Sequence, residues 1–144
     1  MAEMASALKT KLHRTAAEIA YRRQHMNEAF PEAMVTVPSA LTKAINCIPD
    51  EDDRHVLATA IMAHANVIVT QNTKHFPKDC LEEYGVLCQK ADDFLIHQYH
   101  LCEQFVLDKL DDQGMGISRD RAYVISSLKQ SAPGFAKLLE EHSL

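Results

Sequence analysis

The most informative part of the chain is residues 49–77, with the sequence PDEDDRHVLATAIMAHANVIVTQNTKHFP. Four successive acidic residues, 50–53, precede an apolar pattern of helical spacing, and acids at a helix start suit the helix dipole. The pattern predicts a helix over 53–65, ended by Asn66 in the left-handed conformation, and then a buried parallel strand over 67–70. A polar loop with Asn72 and His75 follows. Because ligands of α/β proteins bind at the carboxyl ends of parallel strands, we expect the functional site here.

The preceding residues are predicted to be mainly helical. A first helix is expected over 2–13. Thr15 and Glu18 fit a capping box that opens a second helix over 16–29, in which Ile19, Met26 and Ala29 are expected to face inward. A short strand over 34–37 and one or two helical turns over 39–45 complete this part.

The residues after the central stretch continue an alternation of helix and strand, which is typical of α/β proteins. A helical turn over 78–83 and a turn at Tyr84 and Gly85 lead to a short strand over 86–88. The last third is predicted to be helical. It comprises a long amphipathic helix over 91–110, a loop at Gly114 and Gly116, a helix over 119–130 capped by Ser118, and a final helix from Pro133.

Composition places the chain among ordinary globular proteins. Its 144 residues suit one domain, and 47% are hydrophobic and 24% charged. A net charge of −5 argues against indiscriminate coating of nucleic acid. No apolar run is long enough to span a membrane and no signal-peptide pattern is visible, so we expect a cytoplasmic protein. Its four cysteines lack C-x-x-C spacing and are expected to be reduced; they are Cys47, Cys80, Cys88 and Cys102.

The acidic residues 50–53 have two interpretations. The structural interpretation is the more common one: such a cluster is most often a solvated helix start. The strand-end loop that follows favours a metal site, because Mg²⁺ and Mn²⁺ prefer carboxylate oxygens and water. Such ions activate water and stabilise the leaving oxygen in phosphodiester hydrolysis. A second acid from across the sheet is then needed, and Glu3 is the early candidate.

Other candidate sites have weaker support. His97 and His100, with Cys102 and Glu103 beside them, have a spacing that suits Zn²⁺, but without a second ligand pair we interpret them as surface histidines. His55 is interpreted first as a helix-start residue. Several basic side chains can neutralise a few phosphates, although helical surfaces often carry such charges; they are Lys9, Lys11, Arg14, Arg22, Arg23, Lys74 and Lys78.

Residues 52–60, 67–70 and 70–77 resemble the C-terminal half of a PIN domain, the nuclease fold of VapC-like toxins in toxin–antitoxin pairs. The segments DDRHVLATA, VIVT and TQNTKHFP carry the resemblance. Segments 29–36, 84–86 and 92–95 also resemble one bacterial PIN subfamily, so the similarity covers about residues 3–96. It implies an α/β, PIN-like three-layer fold with a short parallel sheet over residues 1–96, and a helical extension over 97–144.

The resemblance further implies a Mg²⁺- or Mn²⁺-dependent ribonuclease that hydrolyses RNA. Asp53 falls on the family's acid at the start of the helix before the fourth strand, and Glu3 falls approximately on an earlier helical glutamate. The implied metal ligands are Asp53 and Asp52, directly or through water. Asn72 supports the site. His75 stands where the family usually has aspartate and is expected to serve as a cationic or metal-binding substitute.

The family's first strand, which is apolar and ends in aspartate, has no counterpart before Met1. We therefore expect a truncated sheet whose gap is filled by another chain, a symmetry mate or a rearranged edge, because unpaired buried backbone groups are costly. The enzyme is then expected to be inactive or split. The alternative is a non-enzymatic interaction module that binds an antitoxin or a complementary PIN half. A homo-oligomer is expected in either case.

Overall fold

The structure, a computed structural model, describes residues 15–142. Over that range the helices and strands are α1 Ala16–Ala29, α2 Ser39–Ala44, α3 Arg54–Met62, β1 Val67–Val69, α4 Lys78–Glu82, β2 Leu87–Gln89, α5 Ala91–Leu101, α6 Glu103–Gly116, α7 Arg121–Leu128 and α8 Pro133–His142. Short 3₁₀ turns lie at Pro31–Ala33, Glu51–Asp53 and Thr73–His75. The strands β1 and β2 are parallel and form a two-stranded sheet, which confirms the predicted α/β class with a short parallel sheet. The predicted helix over 2–13 lies outside the described residues.

The described residues form two hydrophobic clusters. The first surrounds the sheet and includes Ile45, Ile48, Leu57, Ala58, Ala60, Ile68, Phe76, Cys80, Leu81 and Val86. The second is formed by the last four helices and includes Tyr99, Leu110, Val124, Ile125, Ala132, Phe135, Ala136 and Leu139. The predicted boundary between residues 96 and 97 falls within α5 and stays a prediction. No helix of residues 15–142 has the length and hydropathy that crossing a membrane requires.

Helix α1 begins as predicted but is not packed as predicted. Thr15 Oγ1 accepts a hydrogen bond from the amide of Glu18 at 3.2 Å, and Glu18 Oε2 accepts one from the amide of Thr15 at 2.8 Å. The capping box is therefore confirmed. The inward orientation of Ile19, Met26 and Ala29 is wrong, because no residue of α1 is buried and Met26 is 41% exposed. Among the elements of residues 15–142, the main neighbour of α1 is the turn that follows it.

The predicted strand over 34–37 is wrong. Met34 has extended backbone angles, φ −86° and ψ 102°, but this segment forms no ladder. Within residues 15–142 the two strands pair only with each other, so an extended segment here has no strand beside it.

Helix α3 ends at Met62, earlier than predicted, and His64 rather than Asn66 takes the left-handed conformation, with φ 52°. The amides of His64 and Ala65 donate to the carbonyls of Ile61 at 3.1 Å and Ala60 at 2.9 Å. This is the Schellman pattern of helix termination. Strand β1 then begins at Val67.

Strand β1 is less buried than predicted. Ile68 is buried, but Val67 is half-buried and Val69 is 43% exposed. The prediction of a fully buried strand is therefore wrong for its outer residues, because the described helices cover β1 mainly at Ile68.

The predicted helix over 91–110 is wrong, because the chain leaves the helical conformation at Cys102, with φ −155° and ψ 84°. Helices α5 and α6 then contact each other and bring Tyr99 and Leu110 into the same cluster. In one straight helix these residues would lie about 16 Å apart along the axis. Packing between α5 and α6 therefore favours a helix break at Cys102 that the local sequence does not predict.

The predicted loop at Gly114 and Gly116 is also wrong, since both glycines lie in α6. A Cβ on Gly114 would lie 2.7 Å from the carbonyl oxygen of Arg119, so glycine is needed where the chain turns back towards α7. Asp120, not Ser118, caps α7 and accepts from the amide of Tyr123 at 2.9 Å.

The expectation that all four cysteines are reduced is wrong for two of them. Cys47 and Cys80 form a disulfide with Cα atoms 5.5 Å apart, while Cys88 and Cys102 are free. The bridge forms because the loop before α3 packs against α4 in the first cluster. The two cysteines are 33 residues apart in sequence, so no local spacing signals the pair.

Asp92 connects the start of α5 to the start of α8. Its carboxylate accepts hydrogen bonds from the amides of Gly134 at 2.9 Å and Phe135 at 2.7 Å. The first amides of a helix have no partner within the helix, and a carboxylate at that end also suits its dipole. Asp92 therefore holds the ends of the helical cluster together.

We expect Asp92→Ala to lower the free energy of unfolding by about 1 to 2 kcal/mol, because two half-buried amides lose their acceptor. Urea denaturation measures the change. The control is Asp93→Ala, which removes the same side chain from the exposed neighbouring position. Equal stability of the two variants would show that the cap contributes nothing.

Candidate metal centre

The acidic residues before α3 form a fixed turn. Asp50 caps the 3₁₀ turn Glu51–Asp53, and its Oδ1 accepts from the amide of Asp52 at 3.0 Å. The amide of Asp53 donates to the carbonyl of Asp50 at 3.2 Å. Arg54 donates from Nε to the carbonyl of Ile48 at 3.2 Å. These bonds fix the direction of the carboxylates relative to the first cluster.

The loop after β1 forms a second turn. The amide of Thr70 donates to the carbonyl of Gln89 at 2.9 Å, which holds the start of the loop against β2. Thr70 Oγ1 accepts from the amide of Asn72 at 3.1 Å, and the carbonyl of Asn72 accepts from the amide of His75 at 3.0 Å. The turn Thr73–His75 therefore places His75 beyond the carboxyl end of β1.

The two turns meet through Asp53 and His75. Nδ1 of His75 donates to Oδ2 of Asp53 at 2.6 Å, although the residues are 22 positions apart. Asp53 makes no capping bond to α3, so its carboxylate is available for this contact. The side chain of Asp53 is 23% exposed, and that of His75 is 48% exposed. One ligand atom each from Asp50, Asp53 and His75 lies within 4.8 Å of the others.

We call Asp50, Asp53 and His75 the triad. The structure thus brings together two predicted site residues, Asp53 and His75, and adds Asp50. Asp52 is exposed and lies outside the group, so its role as a metal ligand stays a prediction. Asn72 begins the turn that carries His75, and Glu3 lies outside the described residues.

Asp50 was not selected from the sequence because four adjacent acids look equivalent there. In a 3₁₀ turn, side chains three positions apart share one face. Asp50 and Asp53 have this spacing, and Asp52 is not part of the group of ligand atoms. The three-residue spacing of Asp50 and Asp53 therefore indicates a shared face only once the turn is known to be a 3₁₀ turn.

The donor atoms of the triad fit a divalent cation. Carboxylate oxygens suit Mg²⁺ and Mn²⁺, and an imidazole nitrogen suits Mn²⁺ and the heavier transition ions. Three ligands leave coordination positions for water or phosphate oxygen. The exposure of His75 keeps the triad accessible to such ligands.

The histidines of α5 form no comparable group. His97 and His100 are both exposed, which confirms the prediction of surface histidines. Nε2 of Gln89 donates to Nδ1 of His97 at 3.2 Å, and the ring of His100 meets the ring of Tyr99 edge-on. Neither residue belongs to a metal-ligand group in the part of the chain that the structure describes.

Comparison with known proteins identifies the family. The family model described as PIN domain matches residues 1–74, half of the chain. The chain is also 52% identical over 52 residues to a protein of Mycobacterium tuberculosis named "Putative ribonuclease VapC50". This match covers 36% of the chain and 31% of that relative's length. No solved structure matches. With its acid-rich helix start and parallel strands, the chain belongs to the PIN domain family and is VapC-like.

Proposed function

We propose that the protein is a metal-dependent ribonuclease that hydrolyses RNA phosphodiester bonds, with the triad holding Mg²⁺ or Mn²⁺. The observation that carries this proposal is the group of ligand atoms from Asp50, Asp53 and His75, which lie within 4.8 Å of one another at the carboxyl end of β1. The VapC-like family membership supports the same chemistry. Glu3, Asp52 and Asn72 belong to the proposed site, as the resemblance implies.

The side chains of the triad have distinct roles in this proposal. Asp50 and Asp53 supply negative charge from one face of their turn. Without an ion, Nδ1 of His75 donates a hydrogen bond to Asp53. As a ligand, the imidazole would bind the ion through a ring nitrogen that carries no proton. A bound divalent cation supplies activated water and stabilises the leaving oxygen of the phosphodiester.

Lys74 lies next to His75 in the same turn and is exposed, so it is suited to contact an RNA phosphate. Lys78 begins the following helix, α4, and pairs with Glu82 at 3.4 Å. An exposed ion pair of this kind is weak, so Lys78 remains available to a phosphate as well. These two lysines provide positive charge close to His75 in sequence, on a chain with a net charge of −5.

The imidazole in the triad affects which ion the site prefers. Nitrogen ligands favour Mn²⁺ over Mg²⁺, whereas an all-carboxylate set suits both. We therefore propose that Mn²⁺ is the better activator.

Cleavage of a mixed RNA pool by the purified chain tests this function. We expect weak cleavage with Mn²⁺, because the triad supplies only two carboxylates, and its loss when EDTA removes the metal. Undiminished cleavage in EDTA would contradict the proposal, because it would show a metal-independent or contaminating nuclease.

The second candidate function is a non-enzymatic interaction module. The observation that favours it is the short sheet, in which Val69 and Leu87 are exposed and the outer strand edges have no partner among residues 15–142. Unpaired strand edges readily accept another strand. The partner proposed is an antitoxin, a complementary PIN half or a second copy of the chain. Metal-dependent RNase activity of a chain that recovers no protein partner would reject this function.

A further inference from the structure

The loop closed by the disulfide contains all three residues of the triad. Cys47 lies three residues before Asp50, and Cys80 lies five residues after His75. Every residue of the triad therefore belongs to the loop that the Cys47–Cys80 bond closes. Neither cysteine is a ligand of the site, so the bond acts on its geometry.

Both ends of the bridge are embedded in the first cluster. Ile45 and Ile48, on either side of Cys47, are fully buried, and Cys80 is buried next to Leu81. The acidic turn begins directly after Ile48. The bridge therefore fixes the base of the acidic turn to α4.

The turn with His75 is connected to the other end of the bridge. Phe76 is buried and follows His75 at once, and α4, with Cys80, begins two residues later. The direct tie between the two turns is the Asp53–His75 hydrogen bond, which is partly exposed to solvent. A single hydrogen bond makes only a small net contribution to stability. A covalent bond at the base of both turns is therefore well placed to hold the triad together.

We propose that Cys47 and Cys80 are positioning residues, and that their redox state controls the cation affinity of the triad. The bridge holds Asp50 and Asp53 against His75, and opening it lets the two turns separate. The control of cation affinity rests on the proposed metal site. The loosening itself is a property of the protein alone.

The reductant is a dithiol. Its thiolate bonds to Sγ of half-buried Cys47, the S–S bond breaks, and Cys80 leaves as a thiolate that takes up a proton. The second thiol of the reductant then displaces Cys47, which is also protonated. Two electrons and two protons pass to the protein, and the dithiol becomes a cyclic disulfide.

The test compares Mn²⁺ affinity in the oxidised chain and in the chain reduced with dithiothreitol, which is removed before calorimetry. We expect the reduced chain to bind Mn²⁺ about tenfold more weakly, comparable to losing a residue that orients a ligand. The variant Cys47→Ser/Cys80→Ser is expected to bind weakly under both conditions. The variant Cys88→Ser/Cys102→Ser, which lacks the free cysteines, is expected to respond as the wild type does.

A control separates positioning from general loss of stability. Phe135→Leu disturbs the second cluster, which shares no residue with the first cluster or with the triad. We expect it to lower the melting temperature and to leave Mn²⁺ affinity unchanged below the transition. An equal loss of Mn²⁺ affinity in Phe135→Leu would overturn a specific positioning role for the bridge.

Amide hydrogen exchange separates this inference from the proposed function. Equal Mn²⁺ affinity in the two redox states overturns the inference and leaves the metal site standing. If neither state binds Mn²⁺, the proposed metal site fails and the control of cation affinity fails with it, and exchange over residues 48–55 and 72–77 then decides the positioning role of the bridge. Faster exchange there on reduction supports that role, and unchanged exchange overturns it.

Discussion

The Asp53→Asn variant is expected to lose RNA cleavage and Mn²⁺ binding by about 100-fold or more, because even indirect supports of a metal ligand contribute 10- to 100-fold. Asparagine keeps the size of the side chain but removes the negative charge. The effect on folding is expected to be small, since the Asp53 side chain makes no helix-capping bond. Calorimetry and a cleavage assay with Mn²⁺ measure the two losses.

The matched control for this variant is Asp79→Asn, which removes an exposed carboxylate from α4 outside the triad. It is expected to cleave and to bind Mn²⁺ as the wild type does. Equal activity in Asp53→Asn and Asp79→Asn would remove Asp53 from the mechanism.

Two further variants show which other acidic residues of the turn contribute to Mn²⁺ binding. If Asp50 is a ligand, as its position in the triad indicates, Asp50→Asn weakens Mn²⁺ binding. The variant Asp52→Asn shows whether Asp52 also contributes through water.

The Phe135→Ala variant is expected to lower the free energy of unfolding by about 3 to 5 kcal/mol. Phe135 is 2% exposed and lies at the centre of the second cluster. Its ring meets that of Tyr99 edge-on, with centroids 6.5 Å apart. The truncation therefore removes buried apolar surface and a favourable aromatic contact, and it leaves a cavity. Denaturation in urea measures the change.

Phe105→Ala is the control, because it makes the same truncation at a position that is 59% exposed. We expect its stability to stay close to that of the wild type. If the two phenylalanine variants were equally stable, Phe135 would not be part of a packed core.

Local sequence signals predicted much of the fold. The capping box at Thr15, the apolar periodicity of α3 and the β-branched run of β1 all act over a few residues, and each element is present. The boundaries were less predictable. The end of α3 depends on a Schellman turn at His64, and several polar residues nearby have similar preferences.

The errors concern contacts between distant residues. Nothing in the sequence near Cys102 breaks a helix, and the break exists because Tyr99 and Leu110 pack into one cluster. The Cys47–Cys80 bond likewise depends on packing between residues 33 positions apart. Contacts between residues so far apart in the chain cannot be predicted from the local pattern of a single sequence.

The general location of the site was predicted correctly. Only two of the three triad residues were predicted. Asp53 and His75 follow from a helix start and a strand-end loop that α/β topology brings together. Asp50 depends on the orientation of one 3₁₀ turn, which four adjacent acids do not reveal.

The central claim is that the triad binds a divalent cation, and a Mn²⁺ titration followed through the NMR signals of the eight histidine imidazoles tests it most directly. A paramagnetic ion broadens the signals of the nearest rings. We predict that the signal of His75 broadens first, at about one Mn²⁺ per chain, while those of His97 and His100 stay sharp. Early broadening at His97 and His100 with a sharp His75 signal would contradict this account.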